Sequence, residues 1–166
     1  MRTHAAATVL ARCIALDLQL APHPDLPSLL LRACRSAQGL CMARYAAAAV
    51  IDERDDAPIA FAACGLPPTL DASAFARGRG LLGEVLRDGV AQRVDVRAGD
   101  AAQLGLPPTH PDVRCLLAVP LASEDRCWGW LYLADKRTAS GFSEADEVVA
   151  LTIAAQLASA REALGA

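Results

Sequence analysis

The chain has 166 residues, of which 54% are hydrophobic, and a formal net charge of −3 with a pI near 5.6. This length is typical of one domain, and this hydrophobic fraction excludes an intrinsically disordered chain. No apolar run reaches the roughly 18 residues that span a bilayer, and no basic cluster indicates a nucleic-acid partner. The N-terminus lacks a signal-peptide pattern, so we expect a cytoplasmic protein that binds neither membranes nor nucleic acids.

The six cysteines lie mostly in apolar segments, at positions 13, 34, 41, 64, 115 and 127. None of them forms a CxxC pair, and no cysteine–histidine group has the spacing of a zinc site. We therefore interpret them as small buried hydrophobic side chains and not as metal ligands.

The first half of the chain predicts two helices and then a β-hairpin. Apolar residues recur at helical spacing over residues 4–20, and a second helix runs from its N-cap, Asp25, to about Gly39. Residues 42–53 and 59–65 are strand candidates on either side of a polar turn, although alanine, their commonest residue, is a poor strand former.

The second half predicts a short helix and three more strands. The predicted elements are a loop at 66–79, a short helix at 80–89 and strands at 92–96, 114–121 and 127–135. A loop from 97 to about 113 joins two of these strands, and structureless loops of this length in compact domains are often functional. In the last strand, a period of two places Trp128, Trp130 and Tyr132 on one face.

A final helix begins after its N-cap, Ser143, and has acidic residues in its first turn. Its apolar positions form two stripes, Val149, Ile153 and Leu157 in one and Val148, Leu151, Ala155 and Ala158 in the other. Two stripes imply two packing partners. The helix is either sandwiched within one domain, or it pairs with a second subunit and leads to an output module.

This order of elements predicts an α+β fold. We expect a mostly antiparallel sheet of five or six strands with the N- and C-terminal helices on one face. The short helix and the long loop would then cover the other face and enclose a ligand pocket.

Five segments resemble the GAF domain family in their order and spacing. They are ARYAAAAVIDE, GRGLLGEVLRDG, VRCLLAVPL, WGWLYLADK and FSEADEVVALTIAAQLASA. The resemblance covers about residues 20–163 and implies one sensory GAF domain over 1–166. GAF domains are ligand-binding regulatory modules of sensor kinases, phosphodiesterases, cyclases and transcriptional activators, so the resemblance implies a sensor and not an enzyme.

The segments GLPPTHPDVR and GWLYLADK are similar to the haem-binding first GAF domain of DosS/DosT-type sensor kinases. In that subfamily, the histidine at the place of His110 is the proximal haem ligand, and the tyrosine at the place of Tyr132 lies on the distal side. The resemblance therefore implies haem as the cofactor and His110 as the ligand of its iron. The cofactor-binding residues would be His110, Tyr132, Trp130, Leu82 and Leu117.

The chain also departs from that subfamily. Thr109 and Asp112–Val113 stand where the subfamily has a second histidine and a Pro-Met pair, and Trp130 replaces a small polar residue. A Pro-Pro-x-His-Pro loop also occurs in GAF domains not known to bind haem. The space that Trp130 leaves beside Tyr132 decides whether a flat cofactor fits.

The same residues have structural interpretations. His110 is alternatively a loop histidine that hydrogen-bonds a carbonyl group, and the aromatic residues of the last strand are alternatively core residues. Asp135-Lys136, with Phe142 and Asp146-Glu147, resembles the signature of cyclic-nucleotide-binding GAF domains. Physically, Lys136 can pair with Asp146 and connect the strand end to the last helix.

The sequence gives little support for an enzyme or for a photoreceptor with a covalently attached bilin. Free methionine sulfoxide reductases of this fold need cysteines at the short helix, where this chain has Leu81 and Leu82. Bilin attachment usually requires a Cys-His pair, but Cys115 is followed by Leu116.

Three functions remain. The first is a haem-based gas or redox sensor, and the second is a GAF domain for a cyclic nucleotide or another metabolite. The third is a ligand-free dimerisation module. In each case we expect a homodimer and a downstream output domain, such as the histidine kinase of a two-component system.

Overall fold

A computed structural model describes residues 25–54, 57–75, 78–96, 101–124 and 126–165. Within these residues the chain forms an open five-stranded antiparallel sheet and four α-helices. The predicted α+β fold is therefore confirmed. The helix predicted at 4–20 lies outside the described residues.

The described elements follow the predicted order. The helices are α1 (Leu26–Leu40), α2 (Gly80–Asp88), α3 (Ala101–Leu104) and α4 (Glu144–Ala163), and a 3₁₀ turn covers Ala72–Ala74. The strands are β1 (Ala43–Ile51), β2 (Pro58–Cys64), β3 (Gln92–Asp95), β4 (Cys115–Ser123) and β5 (Arg126–Lys136). Their order in the sheet is β2-β1-β5-β4-β3. None of the described helices is long and apolar enough to cross a bilayer.

Local capping residues determine where the helices begin and end. The Asp25 side chain accepts a hydrogen bond from the backbone N–H of Ser28, 2.8 Å away. At the start of α4, Ser143 and Asp146 form a reciprocal capping box. Gly89 ends α2 in the left-handed conformation. These ends were predictable because each depends on side chains close to it in the sequence.

Strand β1 is a strand in spite of its alanines because both of its faces are covered. It lies between β2 and β5, and its residues 46–50 are almost completely buried. Ala46 and Ala48 belong to the core beneath the helices, whereas Ala47 and Ala49 belong to the core on the opposite face. Tertiary packing therefore outweighs the weak strand propensity of alanine.

Helices α1 and α4 pack together on one face of the sheet, which we call the helix face. Its core contains Leu29 and Leu30 of α1 and Ile153 and Leu157 of α4, all at most 1% exposed. Each side chain buried in this way contributes roughly 1.5–3 kcal/mol to folding relative to its exposed state. The opposite face, covered by α2 and by the residues between α3 and β4, we call the site face.

A β-bulge in β5 reverses the predicted orientation of Trp128. Cys127 pairs with Ala122 and Gly129 pairs with Leu121, so Trp128 is an extra residue without a partner in β4. An extra residue interrupts the two-residue alternation of a strand. Trp128 therefore lies in the helix-face core, and the prediction that it shares a face with Trp130 and Tyr132 was wrong.

Trp128 holds the last turn of α4. The guanidinium carbon of Arg161 lies 4.4 Å from the centre of the Trp128 ring. The Nε atom of Arg161 is buried and has no hydrogen-bond partner among the described residues. The contact of the guanidinium with the face of the Trp128 ring therefore offsets part of the cost of its lost hydration. The bulge thus connects the β4–β5 hairpin to the C-terminal end of the last helix.

The end of β5 is joined to α1 and α4 by a buried lysine. Lys136 Nζ lies 2.8 Å from both carboxylate oxygens of Asp146 and 3.1 Å from the carbonyl oxygen of Cys41. Both side chains of the ion pair are at least five-sixths buried, at 14% and 10% exposure. The predicted structural role of the Asp135-Lys136 motif is therefore present in the fold.

We predict that Lys136→Met lowers the free energy of unfolding by about 3–5 kcal/mol, because it leaves the Asp146 carboxylate buried without its cation. Arg126→Gln is the matched control, since Arg126 pairs with Glu53 where both side chains are more than half exposed. The control should cost less than about 1 kcal/mol. Urea unfolding of both variants tests this, and equal losses would contradict a special role for the buried pair.

The same pair predicts a pH dependence. Burial raises the pKa of Asp146, but hydrogen bonds from Lys136 and Ser143 outweigh burial and leave this pKa below its ordinary value. The unfolded state then binds more protons, so this stabilisation is complete above the ordinary carboxyl pKa and is lost as pH falls through the lowered value. Lys136→Met should reduce this acid-dependent part of the unfolding free energy.

Candidate functional site

The candidate site is built around His110, which a proline-rich turn places over the sheet. The backbone N–H of His110 donates to the carbonyl of Pro107 at 2.9 Å, which closes a turn with Pro108 at its second position. Pro111 then favours an extended backbone at His110. This turn points the imidazole toward the central strand β5, and His110 is only 6% exposed.

His110 and Tyr132 form a direct hydrogen bond inside the protein. His110 Nε2 lies 2.9 Å from Tyr132 Oη, and His110 Nδ1 lies 2.7 Å from the carbonyl oxygen of Pro111. A carbonyl oxygen can only accept, so Nδ1 carries the proton and Nε2 accepts from the tyrosine hydroxyl. Each ring nitrogen thus has a partner, and this tautomer leaves the Nε2 lone pair directed at Tyr132.

Burial sets the charge state of the pair. It lowers the pKa of His110, against smaller opposing effects of the Pro111 hydrogen bond and of Asp135. Burial also raises the pKa of Tyr132, which is completely buried, well above its ordinary value. Both side chains are therefore neutral near pH 7.

Aromatic rings surround the pair and fill the site face. Tyr45 meets the His110 ring edge-on, with ring centres 5.7 Å apart. Phe75 lies 5.2 Å from the centre of Trp130 and 6.1 Å from the centre of Tyr132, and Trp130 lies 5.6 Å from Tyr132. These distances are typical of favourable aromatic contacts.

A small cavity lies beside these rings. A cavity of about 10 Å³ lies between α2 and the sheet, and its wall includes Phe75, Leu82, Gly105 and Trp130. That volume is about the minimum for one water molecule. A larger ligand in this cavity would therefore have to displace the side chains around it.

The structure brings together four of the five predicted cofactor-binding residues. His110, Tyr132, Trp130 and Leu82 are all buried on the site face. Leu117 lies instead in the helix-face core, because Leu116 and Ala118 occupy the site-face positions of β4. Strand β4 is buried on both faces, so its sequence shows no polar alternation that would identify the face of Leu117.

Phe75 and Asp135 are site residues that sequence reasoning missed. Phe75 lies in a segment predicted as a loop, but it is 3% exposed and contacts Trp130. The one signal was a single aromatic residue in an otherwise small and polar stretch. Asp135, with a φ of 57°, accepts a hydrogen bond from the backbone N–H of Arg114 at 2.6 Å and so secures the chain that leads from His110 into β4.

Close backbone contacts hold α2 against the turn that follows α3. A Cβ atom on Gly105 would lie 2.4 Å from the carbonyl oxygen of Arg79, and one on Gly80 would lie 2.3 Å from the backbone nitrogen of Gly105. Side chains at these positions would separate the two segments. Helix α2 and the segment that carries His110 are therefore packed as one unit.

The arrangement does not fit the predicted haem site. A haem ligated by His110 with Tyr132 on its distal side would have to lie between two atoms that are 2.9 Å apart and hydrogen bonded. Trp130 and Phe75 occupy the space beside them.

Comparison with known proteins identifies the family. A family model described as GAF domain matches residues 23–162. The chain belongs to the GAF domain family. This family consists of small-ligand-binding sensory modules of signalling proteins, although some members are enzymes.

Solved structures share the fold of this GAF domain. The GAF domain of a phosphoenolpyruvate-protein phosphotransferase from Acinetobacter is 20% identical, with 94% of this chain and 92% of that chain covered and a TM-score of 0.77. Free methionine-R-sulfoxide reductase from Neisseria meningitidis, in complex with its substrate, is 21% identical over 98% and 90%, with a TM-score of 0.69. At these identities the likeness shows the fold alone.

A third similar structure is a GAF domain of the protein DevS. The GAF-B domain of DevS, a DosS-type protein from Mycobacterium smegmatis, is 22% identical over 85% of this chain and 96% of that chain, with a TM-score of 0.66. The resemblance predicted from the sequence was to the first GAF domain of such proteins, whereas this structure is the GAF-B domain. The fold is shared, and the site must be judged from its own residues.

We predict that Tyr132→Phe lowers the free energy of unfolding by about 1–3 kcal/mol, because His110 Nε2 is left buried without a partner. Tyr45→Phe is the control, since it removes a hydroxyl from a half-buried ring that also contacts His110. The control should change stability by less than about 0.5 kcal/mol. Chemical denaturation near pH 7.5 measures both values, and an unaffected Tyr132→Phe protein would contradict the hydrogen bond.

We also predict that Gly105→Ala is more harmful than Gly89→Ala. Both glycines have positive φ, at 80° and 63°, but an added Cβ meets the Arg79 carbonyl only at Gly105. The backbone conformation alone costs about 1–2 kcal/mol, and overpacking adds about 1–3 kcal/mol at Gly105. Thermal unfolding should separate the two variants, and equal melting temperatures would argue against a tight α2–loop contact.

Proposed function

We propose that this GAF domain is a sensory module that binds a small molecule other than haem on its site face, at the His110–Tyr132 pair. The observation that carries the proposal is the buried hydrogen bond of 2.9 Å between these side chains. It is a neutral donor–acceptor pair in an otherwise apolar region, and ligand sites are typically apolar with a few well-placed polar groups. A ligand that forms hydrogen bonds with these two groups gains affinity without leaving either one unpaired.

The geometry also suggests how binding is transmitted. A ligand at the pair displaces His110, and α2 moves with the His110 segment because the two are packed backbone to backbone. Strand β5 carries Trp130 and Tyr132 on the site face and Trp128 on the helix face, where Trp128 contacts Arg161 of α4. The last helix would then convey the change to an output domain, such as a histidine kinase.

A ligand screen with a positional control tests this proposal. Hemin, cyclic AMP, cyclic GMP and a library of uncharged metabolite-sized compounds are each added to the wild-type protein, and the unfolding temperature is measured. A ligand of the site at a hundred times its dissociation constant adds about 2.7 kcal/mol of stability. This gain should disappear in His110→Ala and persist in Thr109→Ala, whose side chain is exposed.

The measurement with hemin can contradict the proposal. We expect no stoichiometric Soret band from the wild-type protein. A Soret band that shifts on protein addition and is lost in His110→Ala would restore haem as the cofactor. Stabilisation by a compound that is unchanged in His110→Ala would place the site elsewhere.

A second candidate function, homodimerisation, is favoured by the exposed stripe of α4. Ile153 and Leu157 of the first predicted stripe are buried, but Val148 and Leu151 of the second are 47% and 38% exposed. Leu40 and Met42 are also exposed, and Cys41 between them contacts the carbonyl of Asp146 near the start of α4. Val148 and Leu151 would bury apolar area against a second copy.

We predict that Val148→Glu combined with Leu151→Glu shifts a dimer to monomer, because four charges would face each other across a two-fold interface. Ile59→Glu is the control, since Ile59 is 61% exposed on strand β2. Light scattering coupled to size exclusion measures the mass of each variant. A monomeric wild-type protein, or a dimer that survives the double substitution, would remove this candidate.

A further inference from the structure

The described core of the site face carries few polar groups. Its fourteen buried apolar and aromatic residues contribute two of them, the hydroxyl of Tyr132 and the indole N–H of Trp130, and His110 pairs with the hydroxyl. The acidic group that acts on His110 is Asp135, a buried carboxylate. Near the small cavity, the exposed Arg87 already donates to the carbonyl of Gly78 at 2.8 Å.

Small side chains make a trough along β5. Tyr132 lies between Ala47 of β1 and Ala118 of β4, and Trp130 lies between Ala49 and Pro120. Because alanine rises little above the backbone, the two aromatic rings lie against a flat floor. A floor of this kind, with Phe75 above it, suits a planar ring.

Trp130 is the residue that occupies this trough beside the polar pair. Its ring contacts Phe75 and Tyr132 and lines the small cavity under α2. An external ring in the same position would have the same neighbours, Phe75 and the Tyr132 ring, whose hydroxyl lies 2.9 Å from His110 Nε2.

We infer that the Trp130 indole is an internal placeholder, and that the site takes an uncharged planar aromatic molecule that carries a hydrogen-bonding group. The ring of the ligand replaces the indole beside Phe75, and its polar group is inserted between Tyr132 Oη and His110 Nε2. This inference rests on the proposed function and specifies its ligand class.

A charged ligand would be poorly stabilised in this trough, which is why we infer an uncharged one. An anion in the trough would lose its hydration and would lie near the Asp135 carboxylate, and the buried polar side chains of the described residues, His110, Asp135 and Asp146, include no lysine or arginine. A cation would also lose its hydration, and the Asp135 oxygen Oδ1 is already bonded to the Arg114 N–H. A neutral ring with one donor or acceptor avoids both costs.

The test uses two indoles of the same shape and different charge. Indole-3-acetamide and indole-3-acetate are titrated into Trp130→Ala and followed by NMR chemical shifts and calorimetry. We expect the amide to bind at least about tenfold more tightly than the acetate. Trp128→Ala is the matched control, because Trp128 is an equally buried tryptophan on the helix face. It should bind the amide at least about tenfold more weakly than Trp130→Ala does.

Titrations of further variants test which groups bind the amide. Tyr132→Phe in the Trp130→Ala background should weaken amide binding and leave binding of plain indole unchanged. Wild type should bind the amide more weakly than Trp130→Ala, because its own indole must first be displaced. If Trp130→Ala does not fold, Trp130→Leu keeps apolar volume in the trough and replaces it in every titration.

Equal affinity for the amide and the acetate would overturn the uncharged class and leave the proposed function standing. If Trp128→Ala and Trp130→Ala bind the amide equally well, the amide simply fills any cavity left by a tryptophan. That result would overturn the inference that the Trp130 indole occupies the ligand position. Absence of amide binding by the Trp130 variants would overturn the placeholder as well. A compound from the stability screen that loses its effect in His110→Ala would still support the proposed function in that case.

Discussion

The hydrogen bond from Tyr132 to His110 connects the irregular part of this domain to its regular part. Tyr132 lies on the central strand β5, and His110 is carried by the segment between α3 and β4. Both groups are buried, so each would incur a desolvation cost without the other. The position of the segment over the sheet and the closure of the site therefore depend on this bond.

The two faces of the sheet are covered by different elements, and this bond lies on the face that holds the candidate site. The helix face holds α1 and α4, whereas the site face holds the polar pair and the aromatic rings. Strand β5 contributes to both faces, and the bulge at Trp128 adds a large side chain to the helix face two residues from Trp130. A change at the site can thus reach Arg161, and the end of α4, through one strand.

Local sequence predicted α1, α2 and α4, the strands in their chain order and the family resemblance, because caps, glycines and hydrophobic periods act over a few residues. It did not predict α3, which lies in a segment interpreted as a loop. It failed where the outcome depends on distant residues. The bulge at Trp128 depends on pairing with β4, and the face of Leu117 is hidden because β4 is buried on both sides. The resemblance to haem-binding GAF domains placed His110 and Tyr132 in one site, but the contact of 2.9 Å, which leaves no place for haem between them, could be seen only in the fold.

The protonation state of His110 tests the central claim most directly. Long-range ¹H–¹⁵N correlation spectra of the ¹⁵N-labelled protein near pH 7.5 distinguish the two ring nitrogens. The structure predicts a single neutral tautomer with the proton on Nδ1, because Nδ1 faces the carbonyl of Pro111 and Nε2 accepts from Tyr132. It also predicts that Tyr132→Phe changes the Nε2 shift. A proton on Nε2, or rapid averaging of the two tautomers, would contradict the hydrogen bond on which the site depends.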